Sequence, residues 1–163
     1  HLLTLDAGNN RIWVTGTLKI RTPGQLLAPG GIGGMGWSIP AGVGAKIGRP
    51  DKRVISLTGD GGAGMSVAAL STAISENAPI TVVVANNCGL GMVRDNMKGE
   101  AYGVNYPPTN FATIAKGVGC HAIEVTRSQD MLEALKEAEK MSGPCLIDVA
   151  IDPAASHHPA SDY

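Results

Sequence analysis

The chain reads as an α/β domain built on an open, mostly parallel sheet with helices on both faces. Three observations predict this. Apolar, β-branched runs alternate with segments of helical periodicity along the chain. The clearest run, Ile80-Thr81-Val82-Val83-Val84-Ala85, is apolar on both faces, which suits a central strand covered above and below. Glycine accounts for 22 of 163 residues, about 13 % against an ordinary ~7 %, so the backbone must turn tightly and approach something closely.

The elements follow in order. Leu2-Leu3-Thr4-Leu5 is a short apolar strand ending at Asp6-Ala7-Gly8. Met35 to Ile47, rich in Ala and Gly, predicts a helix. Arg49-Pro50-Asp51 is a turn that launches the strand Arg53 to Thr58. Met65 to Ser75 places Val67, Leu70 and Ile74 at helical spacing. Ile80 to Ala85 is the third strand, and Phe111 to Lys116 a short helix. His121 to Val125 and Cys145 to Val149 are the fourth and fifth strands. Between them Met131 to Met141 aligns Leu132, Leu135 and Ala138 on one face, with Glu133, Lys136, Glu137 and Lys140 as a solvated surface. Ser128 is its expected N-cap, and Gly143-Pro144 stops it. There is no internal repeat. The expected division is one domain over 1–151 and a tail over 152–163, rich in Pro, Ala, Ser and His.

Composition excludes several function classes. Thirteen Lys and Arg against 14 Asp and Glu give a net charge of −1, so no electrostatic grip on nucleic acid or on an anionic membrane is expected. No apolar run approaches the roughly 20 residues of a membrane helix. Cys88, Cys120 and Cys145 form an odd set without a C-x-x-C pair, which points to a reducing, cytoplasmic setting rather than a disulfide framework. His1 is not an initiator methionine and no signal peptide is visible, so a piece of a longer or processed polypeptide is expected.

Two glycine loops carry the chemistry. Gly30-Gly31-Ile32-Gly33-Gly34-Met35-Gly36 and Gly59-Asp60-Gly61-Gly62-Ala63-Gly64 both contain G-x-G-x-x-G. The second follows a strand and precedes a helix, the context of a dinucleotide fingerprint. That fingerprint wants an acid at the end of the next strand, but this strand ends in Asn86-Asn87. The nearest acid, Glu76, closes the intervening helix. Asp60 also lies where a pyrophosphate would sit, and a bare carboxylate there repels it. A divalent cation between them resolves the conflict. Asp60, the Asn87 side-chain oxygen and the Gly89 carbonyl can supply oxygens from two strand ends. Two phosphate oxygens and a water then complete the octahedron that Mg²⁺ prefers. Gly61 and Gly62 let main-chain N–H groups reach the phosphate, at the positive end of a helix starting near Gly64. Binding of a nicotinamide dinucleotide remains the alternative.

Gly59-Asp60-Gly61, 24 residues, then Asn86-Asn87 resembles the thiamine-diphosphate motif. The glycine loop of 30–36, Pro40-Ala41, Arg49 to Val54, Gly89-Leu90-Gly91-Met92-Val93-Arg94 and Gly143 to Val149 are similar to the carboxyl-terminal domain of acetohydroxyacid (acetolactate) synthases. The resemblance implies a thiamine-diphosphate-binding fold and the following roles. Gly8, Asn9 and Asn10 fall where the family holds diphosphate oxygens. The Gly33 carbonyl meets the aminopyrimidine amine, and Met35 wedges between the two rings. Asp60, Asn87 and Gly89 hold Mg²⁺, while Leu90, Gly91 and Met92 line the thiazolium and substrate side. Met35 and Met92 are thereby the residues nearest the reaction, which is decarboxylation of pyruvate or a similar 2-oxo acid followed by ligation to a second carbonyl. The activating glutamate belongs to a separate pyrimidine-binding domain, usually of a neighbouring subunit. The resemblance therefore implies a homo- or hetero-oligomer and no turnover by this chain alone. It leaves open FAD, which some relatives carry, a simple 2-oxo acid decarboxylase subunit, and a non-catalytic cofactor-binding fragment. It departs at Asn96, where the biosynthetic synthases have a tryptophan linked with the larger 2-oxobutyrate acceptor.

The remaining reactive residues read as structural. Cys88 lacks a paired histidine and reads as a small buried packing residue; Cys120 and Cys145 read as core. Trp13 reads as packing and His121 as a surface histidine. His157-His158 form a pair without further ligands and read as solvent-exposed.

Overall fold

A computed structural model describes residues 1–155. Its centre is a six-stranded sheet, parallel throughout, formed by β1 (Leu2–Leu5), β2 (Leu26–Leu27), β3 (Val54–Gly59), β4 (Thr81–Asn86), β5 (His121–Val125) and β6 (Cys145–Ala150). The spatial order is β2-β1-β3-β4-β6-β5. β4 is central, paired with β3 on one side and β6 on the other, and its Val82 and Val84 are fully buried. Two apolar layers confirm helices on both faces. One packs Ile39, Val43, Leu70, Ala73, Phe111 and Ala115 against Val82 and Val84. The other packs Ala134 and Ala138 against Val83, Val125 and Ile147.

The helices are α1 (Asn9–Thr17), α2 (Ser38–Gly48), α3 (Asp60–Ser66), α4 (Ala69–Ser75), α5 (Gly91–Asn96), α6 (Phe111–Gly117) and α7 (Met131–Ala138). Several differ from expectation. The predicted Met35–Ile47 helix starts at Ser38, because Gly36, with φ of 79°, turns the chain before it. The predicted Met65–Ser75 helix is two, α3 and α4, joined through Val67 and Ala68. α3 begins at Asp60 rather than near Gly64, so Gly61 and Gly62 form its first turn. α7 ends at Ala138, short of Met141, and Ser128 opens a 3₁₀ turn without a side-chain cap bond. α1, α5 and β2 were not expected; the sequence of α1, Asn-Asn-Arg-Ile-Trp-Val-Thr-Gly-Thr, is poor in strong helix formers. Among the described residues no helix is long and apolar enough to cross a membrane. His157 and His158 lie outside the described residues.

α2 lies so close to the sheet that a methyl group has no room at Gly42. Its Cβ would overlap Ser56 Oγ, inside a buried cluster where Thr4 Oγ1 bonds Ser56 Oγ at 2.8 Å and the Ser38 carbonyl at 3.0 Å. Gly42→Ala is expected to lower unfolding free energy by about 2 kcal/mol through forced repacking, read from the urea midpoint.

Candidate functional site

A cleft opens at the carboxyl edge of the sheet, where β1, β3 and β4 end side by side. Three chain reversals supply its walls. Gly8, Asn9 and Asn10 open α1; Asp60, Gly61 and Gly62 open α3; Leu90, Gly91 and Met92 open α5. Asn87 and Gly89 complete the floor, and Met35 stands at the rim. The structure thus gathers every predicted site residue except Gly33, which lies on the loop behind Met35 and outside the lining. Trp13, Ala85, Val93 and Ile151 also line the cleft and were not anticipated as site residues.

The electrostatics are one-sided. Three helix amino termini face one space, and none has a side-chain cap bond. Such termini favour an anion. Among the described residues no lysine or arginine lines the cleft, and its charged group is Asp60, only 5 % exposed. Burial pushes the Asp60 carboxyl up from its ordinary value, and hydrogen bonds from Gly89 and Gly61 act against that rise. The Gly89 N–H donates to Oδ2 at 2.7 Å and the Gly61 N–H to Oδ1 at 2.9 Å. In an anion-seeking cleft with an acid in its floor, a cation between the two would relieve their repulsion.

Asn87 and Gly89 fit that cation. Cys88 adopts φ of 55°, rare for a residue with a side chain, and is half-buried rather than buried as expected. This left-handed turn brings the Asn87 amide against the Gly89 carbonyl. With one amide orientation Asn87 Nδ2 donates to Gly89 O at 2.8 Å and Oδ1 accepts from Arg94 Nη2 at 3.1 Å. With the other, the two oxygens face each other at that same 2.8 Å. Facing acceptors repel unless a cation joins them. Adjacent oxygens of an octahedral Mg²⁺, each about 2.1 Å from the ion, stand about 3 Å apart. Among the described residues there is no cluster of three His, Cys, Asp or Glu side chains, so the donor set is amide, carbonyl and a single carboxylate. That all-oxygen chemistry suits a hard ion that retains ligand oxygens and water, and not zinc.

Several contacts lay beyond sequence reasoning. Asp6, fully buried just past β1, accepts from Ala7 N at 2.8 Å and Gly36 N at 3.0 Å on Oδ1. Its Oδ2 accepts from Ser38 N at 3.2 Å and Thr58 Oγ1 at 3.1 Å. It ties the loop of Met35 to β3. The only sequence signal was an acid directly after an apolar strand. The two asparagines of the Asn-Asn pair divide their work. Asn86 turns away from the cleft, its Nδ2 donating to Asp148 Oδ1 at 3.1 Å and to the Thr109 carbonyl at 2.9 Å. Asn9 Nδ2 donates to Asp95 Oδ2 at 2.7 Å, and its Oδ1 is buried without a partner among the described residues. Its main chain lies in the first turn of α1. Glu76, the acid weighed for a dinucleotide ribose, is exposed at the end of α4 and absent from the cleft.

Comparison with known proteins agrees with this geometry. Residues 6–149 match the family model of the thiamine pyrophosphate enzymes' C-terminal TPP binding domain. The probable acetolactate synthase large subunit of Methanococcus aeolicus is 35 % identical over 161 residues, covering 95 % of this chain and 27 % of that protein. The acetolactate synthase isozyme 1 large subunit of Escherichia coli K12 is 30 % identical, covering 97 % of this chain and 29 % of that one. A solved structure, the thiamine diphosphate-dependent 4-hydroxybenzoylformate decarboxylase of Rhodococcus jostii RHA1, superposes with a TM-score of 0.87 at 29 % identity, over 93 % of this chain and 29 % of its own. The chain spans about a quarter of the length of the curated relatives it matches.

Proposed function

Because the chain belongs to the thiamine pyrophosphate enzymes, through their C-terminal TPP binding domain, we propose that the cleft holds the diphosphate end of thiamine diphosphate through Mg²⁺, within an acetolactate synthase-like enzyme. The observation that carries this is the convergence of Asp60, the Asn87 amide and the Gly89 carbonyl beneath three helix amino termini. Asp60, Asn87 and Gly89 would hold the ion. The main chain of Gly8, Asn9, Gly61 and Gly62, with the Asn10 side chain, would hold the diphosphate. Thiamine diphosphate supplies, when bound, a thiazolium carbon that adds to a 2-oxo acid and takes up the electron pair released on decarboxylation.

The chain's own residues bind, orient and exclude water. Met35 would keep two rings bent against each other. Its Cε and Leu90 Cδ2 each lie 2.8 Å from where a Cβ on Gly61 would be, so the two side chains meet over that glycine. Orientation of this kind brings reacting groups into contact before any chemistry. Gly33 would direct its carbonyl to the amine from behind. Leu90, Gly91 and Met92 form the substrate-side wall. A separate pyrimidine-binding domain, of this polypeptide or of another subunit, would supply the glutamate. The substrate would be pyruvate or a similar 2-oxo acid, and the assembled enzyme an oligomer. The domain proper would run over 1–151, with 152–163 as a tail.

Calorimetry with thiamine diphosphate and Mg²⁺, followed by a pyruvate assay with and without the pyrimidine-binding partner, tests the reading. Mg²⁺-dependent binding without turnover until the partner is added is expected. Turnover by the chain alone, or binding of NADH without Mg²⁺, would refute it. A simple decarboxylase is the second reading, favoured by the decarboxylase among the structural neighbours. Product analysis separates the two: acetolactate from ligation, acetaldehyde from decarboxylation alone. Met35→Ala is expected to weaken cofactor binding only about threefold while removing most activity of the assembled enzyme, as loss of one apolar contact and of a bent geometry should. Unaltered kcat would take Met35 out of the mechanism.

A further inference from the structure

Arg94, on α5, is fixed from three sides beside the cation-binding loop. Nη1 donates to Asn105 Oδ1 at 3.1 Å. Nη2 donates to the Pro153 carbonyl at 2.6 Å. Nη2 also stands 3.1 Å from the Asn87 amide, where it donates to Oδ1 whenever that oxygen is turned toward it. The guanidinium packs on the loop itself, with Nη1 3.3 Å from where a Cβ on Gly89 would stand. Its fork is therefore held in place and cannot follow Asn87 if the amide rotates.

The Asn87 amide has one oxygen and two claimants for it. Turned toward Arg94, it satisfies a charged donor, and Nδ2 satisfies the Gly89 carbonyl. Turned toward Gly89, the oxygen becomes a ligand, but Nδ2 then confronts Nη2 across 3.1 Å, donor against donor. Filling the cation site thus requires breaking the Arg94 bond as well as the bond to Gly89. A bond from a charged donor in a half-buried place is worth more than a neutral one.

We propose that Arg94 is a positioning residue that competes with the cation for the Asn87 side-chain oxygen and so weakens Mg²⁺ binding. The inference rests on the proposed function, since it needs a cation at Asp60, Asn87 and Gly89. Arg94 acts on the ion through the amide.

The test titrates Mg²⁺ into the chain in the presence of a fixed excess of thiamine diphosphate, for the wild type, Arg94→Met and Arg94→Lys, by calorimetry. Arg94→Met is expected to lower the half-saturating Mg²⁺ concentration about 3- to 10-fold, the equivalent of one lost hydrogen bond. Arg94→Lys keeps the charge but not the fork, and should move in the same direction. Each variant's urea midpoint in EDTA is measured alongside, because a merely structural role would change that midpoint and leave the Mg²⁺ requirement unaltered or raised. An unchanged or higher Mg²⁺ requirement in Arg94→Met overturns the proposal. A lysine variant identical to wild type beside a tighter methionine variant also overturns it, since charge alone would then be responsible. If Arg94→Met does not fold, the lysine variant decides. Failure of the wild type to bind the cofactor with Mg²⁺ at all would instead sink the proposed function.

Discussion

Asp60→Ala is expected to abolish Mg²⁺-dependent binding of thiamine diphosphate and to leave the fold standing. Among the described residues Asp60 carries the one charged side chain lining the cleft, and an amide and a carbonyl alone would hold Mg²⁺ poorly. The expected loss of cofactor affinity is on the order of 100-fold or more, the scale of breaking a buried charged contact. Stability should behave differently. In the cation-free chain the buried carboxyl is held above its ordinary value by burial, so the folded state binds its proton more readily than the unfolded one. Stability from this group is therefore present at low pH and is lost as pH rises through the raised value. Removing the group removes that slope. Urea denaturation in EDTA across pH 4 to 8 checks this: the variant should equal or exceed wild type, with the gap widening as pH rises. Cofactor affinity retained within threefold would show that the ion, if any, sits elsewhere.

Asp6→Asn reverses the pattern, destroying stability first. Its carboxylate accepts four hydrogen bonds in a fully buried position. An asparagine has one acceptor oxygen. Its nitrogen in the place of Oδ1 faces two N–H donors, Ala7 and Gly36; in the place of Oδ2 it faces the Ser38 N–H, while the Thr58 hydroxyl can accept from it and donate to the Gly59 carbonyl at 3.0 Å. Even the better orientation leaves buried donors opposed, at a cost of about 2 kcal/mol. Two of the donors, Gly36 N and Ser38 N, lie on the segment that carries Met35 into α2, so the rim of the cleft loosens with the core. Space offers no escape, because a Cβ at Gly62 would already stand 2.9 Å from Asp6 Oδ2. The variant should unfold at markedly lower urea and bind the cofactor weakly even where it is still folded. A wild-type denaturation midpoint would show that the network has slack that the structure does not suggest. Together the two substitutions separate an acid that serves the ligand from one that serves the fold.

Much of the architecture was legible before any coordinates. Strands over Leu2–Leu5 and His121–Val125 appear where expected, β3 and β4 are shifted by one residue at both ends, and β6 runs one residue further. Local pattern suffices there, since β-branched runs bounded by turns have few other uses. The helices were less legible. α1 and α5 are short, contain glycine, and are held by the sheet edge rather than by propensity. The break between α3 and α4 was invisible because apolar spacing runs through it.

The sequence by itself determined the set of main strands, the two glycine loops and the Gly-Asp-Gly to Asn-Asn spacing that puts an acid and an amide at neighbouring strand ends. These are local or periodic features, written in adjacent residues. Tertiary structure alone decided that β1 lies between β2 and β3, that Asn86 faces Asp148 while Asn87 faces the cleft, and that Asp6 is a buried anchor. Each of those depends on partners brought together from distant parts of the chain: Asp6 meets donors 30, 32 and 52 residues away, and Asn86 meets Asp148 at a separation of 62. A hydrogen bond is directional and short, so which polar side chain finds a partner is fixed only when packing of the whole sheet has set the distances.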